Sequence, residues 1–185
     1  KPEQILPPIY GSARHYRDRA RFSVSLDKSC RLKLGFQAKK TNDVVGISSC
    51  MLIPKTVSDK LPAIRELLQD LAEGGSIARF AEFYRGSEIT VLNIAFKSKL
   101  RQNDENRIRQ WFDSELSDDW QIWLQIEGKV PEPFYPQKDT TLKYTLPEFG
   151  IEMPFRPGDF TQINTDTNRL MVSRAVKMLD IRQGE

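Results

Sequence analysis

Three short stretches of this chain carry residue types that could do chemistry. The first is Phe160, Gln162 and Asn164, set two apart in the run Pro154-Phe155-Arg156-Pro157-Gly158-Asp159-Phe160-Thr161-Gln162-Ile163-Asn164. A planar amide such as that of Gln162 both donates and accepts, so it can match the edge of one nucleobase. Read from the residues alone, Asn164 is a helix cap and Phe160 a packing residue. The second stretch is Tyr16-Arg17-Asp18-Arg19-Ala20-Arg21-Phe22, preceded by Arg14 and His15. Guanidinium forks grip phosphate oxygens bidentately, and interleaved aromatics can stack on bases. The plain alternative is a solvated strand face with Asp18 as its counter-charge. The third is Cys50, in Ser48-Ser49-Cys50-Met51-Leu52-Ile53-Pro54. A lone cysteine before a helix is ordinarily a small buried apolar residue, because a metal or cluster site needs several ligands.

These residues need elements to position them. Phe22, Val24 and Leu26 alternate with polar partners, and so do Leu32, Leu34 and Phe36 after a turn at Asp27-Lys28-Ser29. That period of two predicts a hairpin with one apolar and one basic face. If its first strand starts near Arg17, then Arg17, Arg19 and Arg21 share a face. Val44 to Ile47 reads as a third short strand. Val57, Leu61, Ile64, Leu68 and Leu71 share one stripe and predict a helix from Pro54 to Ala72. Pro62 either kinks it or marks the first turn of a second helix.

Ile77–Tyr84 and Glu88–Phe96 read as a second hairpin, followed by a helix capped at Asn103-Asp104 and a strand over Trp120–Ile126. Residues 128–140, with three prolines, read as loop. Thr141–Leu146 and Phe149–Phe155 read as a last strand pair, and Thr165–Leu179 as a helix. This order departs from strict βα alternation. It predicts an α+β fold with a mixed, largely antiparallel sheet and two or three packed helices.

Composition narrows the function classes. The apolar runs are too short to span a bilayer, and two cysteines, Cys30 and Cys50, make no disulfide framework. A reducing, cytoplasmic setting is expected. The net charge of +3 hides an asymmetry: residues 1–40 balance at +7 and the remainder at −4. Concentrated basic charge favours a local polyanion contact. No G-x-G-x-x-G loop is present, and the single histidine, His15, has no partner arrangement for general-base work.

Several of these segments, in this order, resemble the RNA (uracil-5-)-methyltransferase family. The matching pieces are Tyr16 to Arg21 (Y-R-x-R-A-R), Leu34-Gly35-Phe36 and Asn42-Asp43-Val44-Val45. Further on come the D-F-x-Q-x-N run and its apolar helix, then Leu179-Asp180 and Gly184-Glu185 (L-D-x-x-x-G-E). The resemblance implies a central RNA-contacting domain over 1–140. It makes 141–185 the N-terminal part, and first helix, of a truncated Rossmann-like domain that uses S-adenosylmethionine. On that reading the chain is a fragment. The resemblance further implies RNA contacts from Arg17, Arg19, Arg21 and Phe160, and a place for Gln162 beside the cofactor and target base. Cys50 would be the fourth ligand of a [4Fe–4S] cluster whose other three cysteines lie upstream. Such a cluster marks the 23S ribosomal RNA branch and is lacking in the transfer RNA branch. The family adds a thiolate to C6 of uracil, methylates C5 and removes the C5 proton with a base. Neither the thiolate nor the base lies in this chain, which is expected to be inactive alone. A transfer RNA enzyme and a non-catalytic RNA-binding module are the alternatives.

Overall fold

The computed structural model describes residues 5–138 and 141–179. Asp180 to Glu185, which carry the end of the family resemblance, lie outside the described residues. A seven-stranded sheet organises the chain: β1 (Arg19–Leu26), β2 (Leu32–Gln37), β3 (Val44–Gly46), β4 (Ala78–Arg85), β5 (Thr90–Phe96), β6 (Trp120–Ile126) and β7 (Glu132–Tyr135). The spatial order is β3-β2-β1-β4-β5-β6-β7. Every pairing is antiparallel except β5 with β6, which is parallel. That exception follows from connectivity: α3 (Gln102–Glu115) joins those strands, and a crossover helix returns the chain in the same direction. The α+β, largely antiparallel expectation holds.

One face of the sheet carries the main core. Phe22, Leu34, Ala81, Phe83, Leu92, Ile94 and Ile122 point from the strands into Ile64, Leu68 and Leu71 of α2 (Leu61–Glu73) and Ile108 and Phe112 of α3. The predicted single helix over 54–72 is instead two. α1 (Lys55–Ser58) stops at Asp59, and α2 restarts with Pro62 in its first turn. A proline costs nothing there, because the first turn's N–H groups have no intrahelical acceptor. α3 also begins differently from expectation. Its N-cap is Arg101, without a side-chain cap. Asp104 lies inside the first turn, buried, and accepts hydrogen bonds from Ser76 Oγ at 2.8 Å and Arg101 Nε at 2.9 Å.

The proline-rich stretch 128–140 holds a strand rather than only loop. β7 pairs with β6 at the sheet edge, where Pro133 is tolerated because an edge strand leaves one row of N–H positions unpaired. Gly35 in β2 is fixed by close approach: a Cβ there would lie 1.9 Å from the Val45 carbonyl oxygen.

The second face of the sheet is covered only in part. Tyr84, Ile89, Val91 and Trp123 pack there with Leu142 and Phe155. The latter two flank a small hairpin of β8 (Lys143–Leu146) and β9 (Ile151–Pro154). Its turn is a 3₁₀ turn at Pro147–Phe149 closed by Gly150 at φ +62°, so β9 is shorter than the predicted Phe149–Phe155. The chain then runs through 156–164 into α4 (Thr165–Leu179), as the pattern predicted. Asn164 is its cap, accepting the Thr167 backbone N–H at 2.9 Å.

Candidate RNA-contacting face

The pleat of β1 and β4 puts Arg19 and Arg21 on the second, partly covered face, opposite Tyr84 and Glu82. Lys33 of β2 joins them, since it pairs with Ser25. Arg17 does not. The strand starts at Arg19, and Arg17 lies ahead of it, so the expected row of three arginines on one strand face is a row of two. The Arg17 backbone N–H is bound by the Leu52 carbonyl at 2.9 Å. Its Nε is buried and, among the described residues, has no hydrogen-bond partner.

The basic pair is anchored from below by an acid that local sequence does not reveal. Glu82 is 2% exposed. One of its oxygens accepts Arg19 Nε at 2.8 Å, and the other accepts Arg21 Nε at 3.1 Å and Nη2 at 2.9 Å. Each guanidinium also lies over a ring: Arg19 over Tyr84 at 4.8 Å and Arg21 over Phe80 at 4.2 Å. Burial pulls the Arg19 guanidinium down, but its hydrogen bond to Glu82 and the neighbouring charges hold it above its ordinary value. The site face is thus less positive than its sequence suggests, one carboxylate serving two guanidiniums.

The segment 156–164 and the first residue of α4 are tied to Asp18, Arg19 and Tyr84 of β4 by four contacts. Arg19 Nη1 donates to the Asp159 carbonyl at 2.9 Å. The Asp18 backbone N–H donates to the Ile163 carbonyl at 2.8 Å. One carboxylate oxygen of Asp18 accepts the Thr165 N–H at 3.1 Å. The Tyr84 hydroxyl accepts the Gly158 N–H at 3.0 Å. Asp18, read as a solvated counter-charge, is instead a buried hub whose other oxygen holds Arg85 at 2.6 and 2.8 Å. Phe160 and Gln162 leave this scaffold outward. Both are exposed, Phe160 at 85%, so neither side chain is spent on packing. The structure therefore leaves Phe160 and Gln162 exposed on a segment that Arg19 itself holds through the Asp159 carbonyl.

Burial of Tyr84, and then the charge of Glu82, push its hydroxyl up from an ordinary 10 to about 12. The neutral phenol is the form the fold favours. Its contribution is intact below pH 10 and is lost as pH climbs from there to about 12. Melting temperature should fall over that window in the native protein, and by clearly less in Tyr84→Phe. Equal falls in both would show that Tyr84 is not the titrating group.

Cys50 sits on the loop before α1. It is half-buried against the core, and its backbone N–H donates to Ser58 Oγ at 2.9 Å. That loop is stitched to the arginine segment: the Met51 carbonyl accepts the His15 N–H at 2.8 Å, and the Ile53 carbonyl lies 2.7 Å from His15 Nδ1. Cys30 is exposed, at φ +59° in the β1–β2 turn. Both thiols are free, and no group of three or more metal-ligating side chains occurs among the described residues. No helix of the described residues is long and apolar enough to cross a membrane.

The fold is one found in RNA uracil methyltransferases. The crystal structure of the Pyrococcus abyssi tRNA (uracil-54, C5)-methyltransferase in complex with S-adenosyl-L-homocysteine superposes at a TM-score of 0.63, over 94% of this chain and 43% of that one. At 18% identity, that likeness is one of fold. No family model matches the chain. Sequence relatives are more specific. The chain is 87% identical, over its full length, to the 23S rRNA (uracil(1939)-C(5))-methyltransferase RlmD of Neisseria lactamica, of which it spans 41%. It is 37% identical to the enzyme of the same name from Burkholderia thailandensis, again over its full length and 39% of that protein. The chain belongs to the RNA (uracil-5-)-methyltransferase family, as a part that spans about two fifths of the curated relatives it matches.

Proposed function

We propose that this chain is part of a uracil C5-methyltransferase acting on 23S ribosomal RNA with S-adenosylmethionine as methyl donor. The observation that carries the reading is full-length alignment at 87% identity with a protein named for that activity. Residues 1–140 form the central RNA-contacting unit, and 141–185 begin the methyltransferase domain. Arg19, Arg21 and Phe160 contact RNA, Arg17 acting from ahead of the strand and off its face, and the exposed amide of Gln162 faces the cofactor and the target base. A single amide that donates and accepts suits the uracil edge, which offers both functions. Cys50 supplies one thiolate to a [4Fe–4S] cluster. Its half-buried thiol, on a loop anchored by Ser58, fits a ligand role, and one cysteine can fill one of the four positions such a cluster needs. The same cysteine favours the ribosomal branch over the transfer RNA branch. The setting is the cytoplasm, where free thiols persist.

The test is direct. The intact protein, given labelled S-adenosylmethionine and unmodified 23S ribosomal RNA, is expected to form 5-methyluridine. The 185-residue chain alone is expected to form none, because it presents no nucleophile in the setting that addition to uracil C6 requires. Methylation of transfer RNA but not 23S RNA by the intact protein would overturn the substrate assignment. Product from the isolated chain would overturn the division of labour.

A further inference from the structure

Glu82 lies in mid-sheet, its side chain only 3% exposed, directly opposite Arg21 in the β1–β4 register. An unpaired carboxylate is costly to bury, and this one is paired twice, with both partners on the face read above as RNA-contacting. We propose that Glu82 is a positioning residue for RNA binding, which fixes the Arg21 guanidinium so that its free edge meets a backbone phosphate. The inference rests on that reading of the face.

The geometry separates the two arginines. Arg19 is a strap: its side chain is 22% exposed, its Nε is held by Glu82, and its Nη1 is held by the Asp159 carbonyl. Arg21 is 53% exposed. Its Nε and Nη2 donate to a single Glu82 oxygen, and its plane rests on Phe80. One edge and one face are thereby fixed. Nη1 has no partner among the described residues and points the remaining donors away from the Glu82 contact. A free arginine must give up rotamer freedom to bind a phosphate, whereas this one has already lost it in the folded protein. Asn93, paired with Glu82 across β4 and β5 on the side away from Arg21, has a buried Oδ1 without a partner among the described residues.

The sign of the effect tests the proposal. Glu82 is an acid on a face that meets a polyanion. By charge alone, its removal should strengthen RNA binding. As a positioning group, its removal should weaken it. In the intact protein, affinity for a transcript of unmodified 23S ribosomal RNA is measured across a salt series for Glu82→Ala, Glu82→Gln, Arg21→Ala and the double variant E82A/R21A. Glu82→Ala is expected to bind about tenfold more weakly and Arg21→Ala at least as weakly, the scale of a lost arginine contact. The double variant should be no worse than Arg21→Ala, because Glu82 acts through Arg21. Glu82→Gln keeps one accepting oxygen and should fall between native and Glu82→Ala. It also carries the test if Glu82→Ala does not fold. Binding by either Glu82 variant as tight as native or tighter, alongside a weakened Arg21→Ala, overturns the positioning role. Native affinity in Arg21→Ala overturns the RNA reading of the face itself, and the proposal with it.

Discussion

Asp18→Ala is expected to lower the stability of the intact protein by about 2–3 kcal/mol and to release the segment 156–164. Breaking a buried ion pair costs about 3–5 kcal/mol when the abandoned charge stays buried. Here the abandoned partner, Arg85, is 41% exposed and can be rehydrated in part, which sets the lower figure. The second loss is positional. Asp18 holds Arg85 with one oxygen and the first N–H of α4 with the other. Without it, Thr165 N–H has only water, and one of the four ties that hold residues 156–165 against the sheet is gone. Thermal unfolding should show the destabilisation. Limited proteolysis should show faster cleavage between 156 and 164, where exposed Phe160 offers a site for chymotrypsin; trypsin would not report it, because Pro157 follows Arg156. Asp18→Asn, which keeps an accepting oxygen for Thr165, should restore protection more than it restores stability. Unchanged melting together with unchanged cleavage would show that Asp18 is not the hub.

What could be read from the sequence follows the range of the forces involved. The β1–β2 hairpin, β4, β5 and β6 were legible because a period of two is written in consecutive residues, as in Phe22, Val24 and Leu26. The stripe of α2 was legible for the same reason, and so was the cap at Asn164. β7 was hidden because its prolines are breakers everywhere except at an edge, and edge position is a property of the assembled sheet. The charge pattern misled in a related way. Basic residues are concentrated in the first 40, yet the acid that Arg21 shares with Arg19 lies 61 positions from it, and Asp18 reaches a backbone N–H 147 positions away. Such pairings neutralise or bury charges that a local window counts as solvated. The roles of Gln162 and Phe160 came from resemblance to a family rather than from residue chemistry. The structure contributes their exposure and their attachment to the arginine strand.

The largest expected loss is of iron. If the intact protein holds the cluster proposed above, Cys50→Ser should remove most of its iron and acid-labile sulfide, whereas Cys30→Ser should leave both unchanged. A cluster iron is held by soft thiolate, and a serine hydroxyl is neither soft nor deprotonated at neutral pH, so three remaining thiolates hold the cluster poorly. Position separates the two cysteines. Cys30 stands exposed in a hairpin turn, beside Gln69 of α2, whose amide donates to its carbonyl at 3.2 Å. Cys50 is on a loop sewn to residues 15–17 through the carbonyls of Met51, Leu52 and Ile53, with Ile53 itself fully buried. A ligand at Cys50 would therefore brace the strand that carries Arg19 and Arg21. RNA affinity should fall in Cys50→Ser along with iron, and Cys30→Ser should keep both. Native iron content in Cys50→Ser would remove it from the ligand set. Loss of iron with native RNA affinity would keep Cys50 as a ligand and show that the cluster does not brace the arginine strand.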